Sequence, residues 1–274
     1  MRNYDDELLD LRRQIFLTAR KGGSAHLASC YSCLEILYAL FLCGVMHYDP
    51  DNPNMPERDR LILSKGHAGL ALYAVMCRAG FMTPEKLSTY LQPPTTIGGE
   101  PSPRDLPGIE AATGSLGHGL SVGAGIAMSQ KIDGINARTF VIIGDGECQE
   151  GSIWESVISA SAFGLDNLTA IIDCNGVQKM NTVEETMKFV DWRRKFEAFG
   201  WYVQETDGHD VNGLEVALKQ ENVTGLPRVL IAHTVKGRGV SIMENNPNWH
   251  FRMPNRKETK IFASELGIPQ EVLN

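Results

Sequence analysis

Phe140-Val-Ile-Ile-Gly-Asp-Gly-Glu-Cys-Gln-Glu-Gly151 and, one helical stretch later, Leu168-Thr-Ala-Ile-Ile-Asp-Cys-Asn175 decide how this chain folds. Phe140 to Ile143 form a short apolar run with the composition of a buried strand. Gly144 and Gly146 let the backbone turn sharply and approach a ligand, and they place Asp145 at the carboxyl end of that strand. From Glu150 the pattern lengthens to helical period, with Ile153, Trp154, Val157, Ile158 and Ser161 on one expected face. Leu168 to Asp173 then reads as a second buried strand, with Asn175 just past its end. Strand, loop, helix and strand therefore bring an Asp and an Asn to the same edge of a parallel sheet. Two oxygen-bearing side chains at a strand-end crevice suit a hard divalent cation, which takes oxygen ligands and holds diphosphate oxygens or water elsewhere. The plainer alternative is an Asp-Gly turn and an Asn in an ordinary loop. A bare Gly-Asp-Gly favours it; the same motif ahead of an Asn at a second strand end does not.

Composition narrows the function classes. The chain has 274 residues, 43% hydrophobic and 22% charged, which are globular values. Its net charge of -7 argues against nucleic acid as a partner, because phosphate contacts need a basic surface. No apolar stretch approaches the roughly 20 residues of a membrane helix. The charged start, MRNYDDELLDLRRQ, does not resemble a signal peptide, so a cytoplasmic chain is expected. Six cysteines without a framework fit reducing surroundings. Cys30 and Cys33 have the spacing of a redox or zinc pair but lie in a helical run with no second pair, and read as two buried small residues.

Upstream, residues 5–20 form an amphipathic helix, and Lys21-Gly-Gly-Ser-Ala-His26 separates it from a second helix expected over Ser29 to Leu42. Leu61 to Leu63 is a short strand, and Ser64-Lys-Gly-His67 opens a helix running through Ala79. Such a turn is an anion site by geometry, since free backbone N–H groups point outward there. Thr83-Pro84 starts another helix, with Thr as N-cap. Residues 92–110, rich in Pro and Gly, are a linker or a long functional loop. Ala112-Thr-Gly-Ser-Leu-Gly-His-Gly119 then brings backbone close to something flat or negatively charged. Downstream, Val177 to Glu185 reads as loop, Phe189 to Phe199 as helix, Trp201 to Thr206 as strand, Asn212 to Glu221 as helix and Arg228 to His233 as strand. Thr-Val-Lys-Gly-Arg-Gly239 follows that strand, and a final amphipathic helix stops at Gly267. The alternation predicts a doubly wound α/β fold, a mostly parallel sheet with helices on both faces, in a single domain over 1–274.

Three motifs together carry a resemblance that none carries alone: Arg58-Asp-Arg-Leu-Ile-Leu-Ser-Lys-Gly-His67, Leu106-Pro-Gly-Ile-Glu-Ala-Ala-Thr-Gly-Ser-Leu-Gly-His-Gly119, and the Gly-Asp-Gly segment with Asn175. From about residue 8 to about residue 255 the chain resembles the N-terminal, diphosphate-binding part of transketolase, a thiamine-diphosphate enzyme. The resemblance implies the thiamine-diphosphate-binding fold and two-carbon ketol transfer from a ketose or ketose phosphate to an aldose. Asp145, the Asn175 side chain and the Val177 carbonyl would hold Mg²⁺. His67, Gly144 and Gly146 would contact the diphosphate, and Gly114, Ser115 and Leu116 the aminopyrimidine. His26, His67 and His250 would face the substrate and the reacting centre. Glu150 would link two active sites across a dimer interface.

Two departures qualify the resemblance. Where transketolases usually carry Gly-His-Pro, with a His that contacts the donor's hydroxyl, this chain reads Gly98-Gly-Glu-Pro101. Nor does anything after residue 255 suffice for the pyrimidine-binding domain, which carries the glutamate that activates the cofactor, or for the third domain. The resemblance thus implies the N-terminal subunit of a split transketolase, active with a separately encoded C-terminal subunit in a heterotetramer with two copies of each. The alternatives are a subunit of another thiamine-diphosphate enzyme, either 2-oxo-acid decarboxylating or similar to deoxyxylulose-phosphate synthase, and a cofactor-binding subunit without catalysis of its own.

Overall fold

The computed structural model describes residues 4–273 apart from 96, 180, 189, 190, 223 and 224. Five strands, β1 (Arg60–Leu63), β2 (Thr139–Gly144), β3 (Leu168–Cys174), β4 (Tyr202–Asp207) and β5 (Arg228–His233), pair in parallel in the order β1-β2-β3-β5-β4. Their apolar composition follows from burial on both faces, as in a sheet covered by crossover helices. Phe140, Ile142, Ile171 and Leu230 point into one core. It is completed by α1 (Tyr4–Gly22), α3 (Leu34–Leu42), α4 (Gly69–Arg78), α10 (Val211–Lys219) and α11 (Arg256–Glu265). Val141, Ile143, Ile172 and Ile231 point the other way, into a second core with α6 (Gly119–Ile132), α7 (Gly151–Ala162) and α9 (Trp192–Ala198). The doubly wound reading holds, and the described strands are all parallel.

Register places the chemistry. Gly144 lies beside Asp173, and Asp173 beside Ala232, so the segments leaving β2, β3 and β5 emerge at one edge. β1 ends at the same edge, with Leu63 opposite Ile142. Helix α6 approaches closely there because its packing face is glycine: a β-carbon on Gly119 would strike Ser64, and one on Gly123 would strike Val141.

Several boundaries differ from the sequence reading. The second expected helix is two, α2 (Leu27–Ser32) and α3, broken at Cys33 with φ -103° and ψ 12°. Just before that break, the Ser32 hydroxyl donates to Asp173 at 2.6 Å. Cys30 and Cys33 are fully buried free thiols, and the described residues hold no cluster of three metal-ligating His, Cys, Asp or Glu side chains. Ser64 to His67 leads through a tight turn at Gly66–Ala68 before α4 begins. Pro84–Leu87 is a short helix (α5) that the Thr83 hydroxyl caps. The loop after Asn175 contains another, α8 (Val183–Thr186), capped by the Thr182 hydroxyl, which accepts the Glu185 N–H at 3.1 Å. Helix α9 starts at Trp192 under an Asp191 cap; Phe189, expected in it, is outside the described residues. Helix α7 is rotated relative to the expected face. Ile153, Ser156, Val157 and Ala160 are buried, whereas Ile158 is 50% exposed.

Candidate active site

At the carboxyl edge three glycine-bearing loops are tied together by one buried carboxylate. Glu147 accepts the Ser64 hydroxyl, the Gly117 N–H at 2.9 Å and the Gly144 N–H at 3.0 Å. It thereby links the loops after β1, before α6 and after β2, and burial pushes its carboxyl above the usual range. Gly66 lies so close to Gly114 that an added β-carbon would sit 2.6 Å from the Gly114 nitrogen. Gly114 itself has φ +122°, a conformation open to glycine but not to side chains of L-residues.

Inside this frame lie the oxygen donors. Asp145 is buried, its two oxygens accepting the Gly146 N–H at 2.8 Å and the Gly176 N–H at 2.5 Å. Burial, with Asp173 nearby, raises its carboxyl to about 6. The Asn175 amide is oriented by its hydrogen bonds: its nitrogen donates to Ser32 at 3.1 Å and Asp173 at 3.3 Å, leaving Oδ1 to accept the Val177 N–H at 3.1 Å. The Val177 carbonyl accepts the Lys236 ammonium at 2.8 Å. Asp145, Asn175 and Val177 line one cavity of about 280 Å³, along with Gly144, Gly146, His67, Leu116, Glu150 and His250. A carboxylate, an amide and a carbonyl form an all-oxygen set that fits a hard cation such as Mg²⁺. One of these oxygens, the Val177 carbonyl, already receives the Lys236 ammonium.

Behind them sits Asp173, fully buried. It pairs with the buried Lys65 ammonium and accepts the Ser32 and Thr234 hydroxyls and the Asn175 amide. These donors hold its carboxyl below the usual range against the opposing effect of burial. Lys65 and Lys236 place two cationic side chains on the cavity wall. Burial, and then the charge of Lys65, lowers the Lys236 ammonium to about 8.

Three imidazoles cluster beside these donors, His67 and His250 lining the same cavity and His26 a neighbouring one. The His26 ring lies 5.2 Å from that of His67 and 5.4 Å from that of His250, and His67 and His250 are 5.6 Å apart. Burial first, then the ammonium groups, lowers His26 and His250 to about 4. Burial also pushes His67 well below its ordinary value. All three are neutral at pH 7, able to accept a proton or to donate one from the other ring nitrogen. Phe251 lays its ring 4.4 Å from His26. Both line a neighbouring cavity of about 310 Å³ whose one charged lining residue is Glu100. The Glu100 carboxylate lies against Gly114.

Of the residues singled out from sequence, His67, Leu116, Gly144, Asp145, Gly146, Glu150, Asn175, Val177 and His250 share the first cavity, with Glu150 at its exposed rim. His26 reaches that group through its ring contacts. Gly114 and Ser115 line neither cavity; Gly114 packs closely against Gly66 and Glu100, and Ser115 is exposed. Sequence reasoning missed Asp173, Lys236, Ser32, Thr234 and Phe251. Lys236 left a signal, a lysine just past a buried strand in Thr-Val-Lys-Gly. Asp173 left little, since a carboxylate inside an apolar strand shows its purpose only once its partners are known.

The family model for the thiamine diphosphate binding domain of transketolase matches residues 11–272. The chain is 39% identical over 257 residues to an apulose-4-phosphate transketolase subunit of Phocaeicola vulgatus, covering 93% of this chain and 91% of that protein. It is 37% identical to a 6-deoxy-6-sulfo-D-fructose transketolase subunit of a Clostridium species, covering 90% of each. Human transketolase is 38% identical over 230 residues, and the match covers only 36% of its length. Among solved structures, Campylobacter jejuni transketolase superposes with a TM-score of 0.85 at 28% identity, over 97% of this chain and 44% of that one.

Proposed function

The chain belongs to the family of transketolase thiamine diphosphate-binding domains, as a subunit of a thiamine diphosphate-dependent transferase, and from that premise we propose how its strand-end edge works. Asp145, the Asn175 side-chain oxygen and the Val177 carbonyl hold Mg²⁺. Gly144, Gly146 and His67 meet the diphosphate, and Leu116, on the loop of Gly114 and Ser115, meets the aminopyrimidine. When bound, the cofactor supplies the electron sink for cleaving a ketose carbon–carbon bond. The chain supplies orientation, charge and proton movement. His26, His67 and His250, neutral and clustered, take and return protons on substrate hydroxyls. The Phe251 ring packs against His26, and the Glu100 carboxylate accepts a substrate hydroxyl in the adjoining cavity. The observation that carries this reading is the meeting, at one sheet edge, of three oxygen donors and three uncharged imidazoles.

Two relatives are named as subunits of transketolases, and each is matched over about nine-tenths of its length. By analogy this chain is one domain that works with a second chain, which supplies the pyrimidine side of the site. Two of each would assemble, with the α6 and α7 face, where Val122, Ile158 and Phe163 are exposed, turned toward the second copy and Glu150 near that contact. Donors are ketoses or ketose phosphates, the class to which the named substrates of both relatives belong. The test combines this chain, the product of the neighbouring gene, thiamine diphosphate and Mg²⁺, and measures ketol transfer from a donor panel to aldehydes. Transfer by the pair and none by the single chain is expected. No transfer with any donor refutes the reading, and full activity of the single chain refutes the two-chain part of it.

A further inference from the structure

Lys236 holds a position that conflicts with one of the proposed metal ligands. Its ammonium is buried and donates to the Val177 carbonyl at 2.8 Å. Its next polar neighbour is His250 Nδ1 at 3.4 Å. Among the described residues it forms no ion pair with a carboxylate, whereas Lys65, its neighbour in the cavity, is paired to Asp173. A carbonyl oxygen bound to a divalent cation is a poor acceptor for an ammonium at hydrogen-bond distance, because the two positive charges repel at short range. Metal binding at Val177 therefore works against the Lys236 contact, even though the carbonyl has two lone pairs. A diphosphate in the same cavity offers that ammonium new oxygens and neutralises its charge.

We propose that Lys236 couples the two halves of the ligand, resisting the metal ion until a diphosphate is there to receive its ammonium. The inference rests on the metal and cofactor assignment above and concerns only this chain's own lysine. Coupling of this kind is reciprocal, so the diphosphate strengthens the metal by the factor with which the metal strengthens the diphosphate. It also discourages loading with metal alone, which would leave the Asp145 site filled without cofactor.

The test is calorimetric titration with Mg²⁺ of this chain assembled with the product of the neighbouring gene, without and with saturating thiamine diphosphate, fitted with Mg²⁺ binding to free cofactor included. For the native chain the cofactor should tighten Mg²⁺ by about tenfold or more, within the usual range of coupling between sites. In Lys236→Met, Mg²⁺ alone should bind several-fold tighter than in the native chain, the cofactor should bind weaker, and the coupling factor should fall several-fold, the remainder coming from coordination of the metal by the diphosphate itself. Lys236→Arg, which keeps the charge, should keep the coupling, and circular dichroism confirms that each variant is folded. Should Lys236→Met not fold, Lys236→Gln takes its place with the same expectations. Weaker Mg²⁺ binding to the uncharged variant without cofactor, or an unchanged coupling factor, overturns the proposal. A native assembly that binds neither Mg²⁺ nor cofactor overturns the site assignment, and the coupling with it; tight binding without coupling overturns the coupling alone.

Discussion

Replacing Asp173 with Asn removes one charge and almost no volume from a fully buried position. The carboxylate takes four donors: Lys65, Ser32, Thr234 and Asn175. An amide retains one acceptor oxygen and turns an NH₂ toward groups that are themselves donors. It also leaves the Lys65 ammonium, 2% exposed, without its counter-charge. Breaking a buried pair from one side costs about 3–5 kcal/mol. Against a domain stability of roughly 5–15 kcal/mol, that loss is a large fraction. At about 2–4 °C per kcal/mol for a chain of this size, the melting temperature should fall by roughly 10 °C. Lys65→Met should cost a similar amount, since it strands the carboxylate instead. The double variant, with neither charge, should cost about 2–3 kcal/mol less than the sum of the two, because contacting residues couple. Urea unfolding followed by circular dichroism on the four proteins closes the cycle. Single variants that each cost under about 1 kcal/mol, or additive losses, would refute the view that this pair holds the strand-end loops in place.

Asp145→Asn should weaken Mg²⁺ by at least tenfold to a hundredfold, the loss typical of disturbing even an outer partner of a metal ligand; calorimetry showing native affinity would contradict its assignment as a ligand. Stability should fall as the pH drops from 6.5 toward 4. His26 and His250, held near 4, bind fewer protons folded than unfolded across that window, so acid favours the unfolded chain. Asp145, raised to about 6, and Glu147, raised by burial, bind more protons folded than unfolded and act in the opposite sense, but His67 and Asp173, both lowered, act with the two histidines. Midpoints in urea at several pH values check this, and the slope should flatten in a His26→Gln/His250→Gln variant; stability that is flat or rises on acidification would count against it. In the assembled enzyme, Glu100→Gln should raise the donor KM about tenfold with kcat little changed, as expected for losing a hydrogen bond to a charged acceptor. An unchanged KM would remove Glu100 from the donor's reach.

Much of the fold was legible because its signals are local. Phe140 to Ile143, and Leu168 to Ile172 apart from Thr169, are apolar on both faces, and in the structure both faces are buried. Such runs, alternating with helical periods, leave little but a parallel sheet wound on both sides. Helix α7 shows where locality stops. Its sequence carries apolar residues around more than half its circumference, and the rotation that exposes Ile158 is set by how it packs beside α6 and the sheet. The break at Cys33 is similar, since nothing in Ser29 to Leu42 other than tertiary contact interrupts a helical pattern.

The sequence by itself determined the sheet, the edge at which Asp145 and Asn175 emerge, and the family, because strand ends and glycine turns are written in consecutive residues. Tertiary structure alone decided the charges behind that edge. Asp173 meets Lys65, 108 positions away, and Lys236 meets the Val177 carbonyl, 59 positions away. Which of two lysines is locked in an ion pair and which is poised over a carbonyl depends on distances of a few ångströms between separate loops. Periodicity and spacing along the chain carry no such information; only the packed sheet, which fixes the loops relative to one another, supplies it.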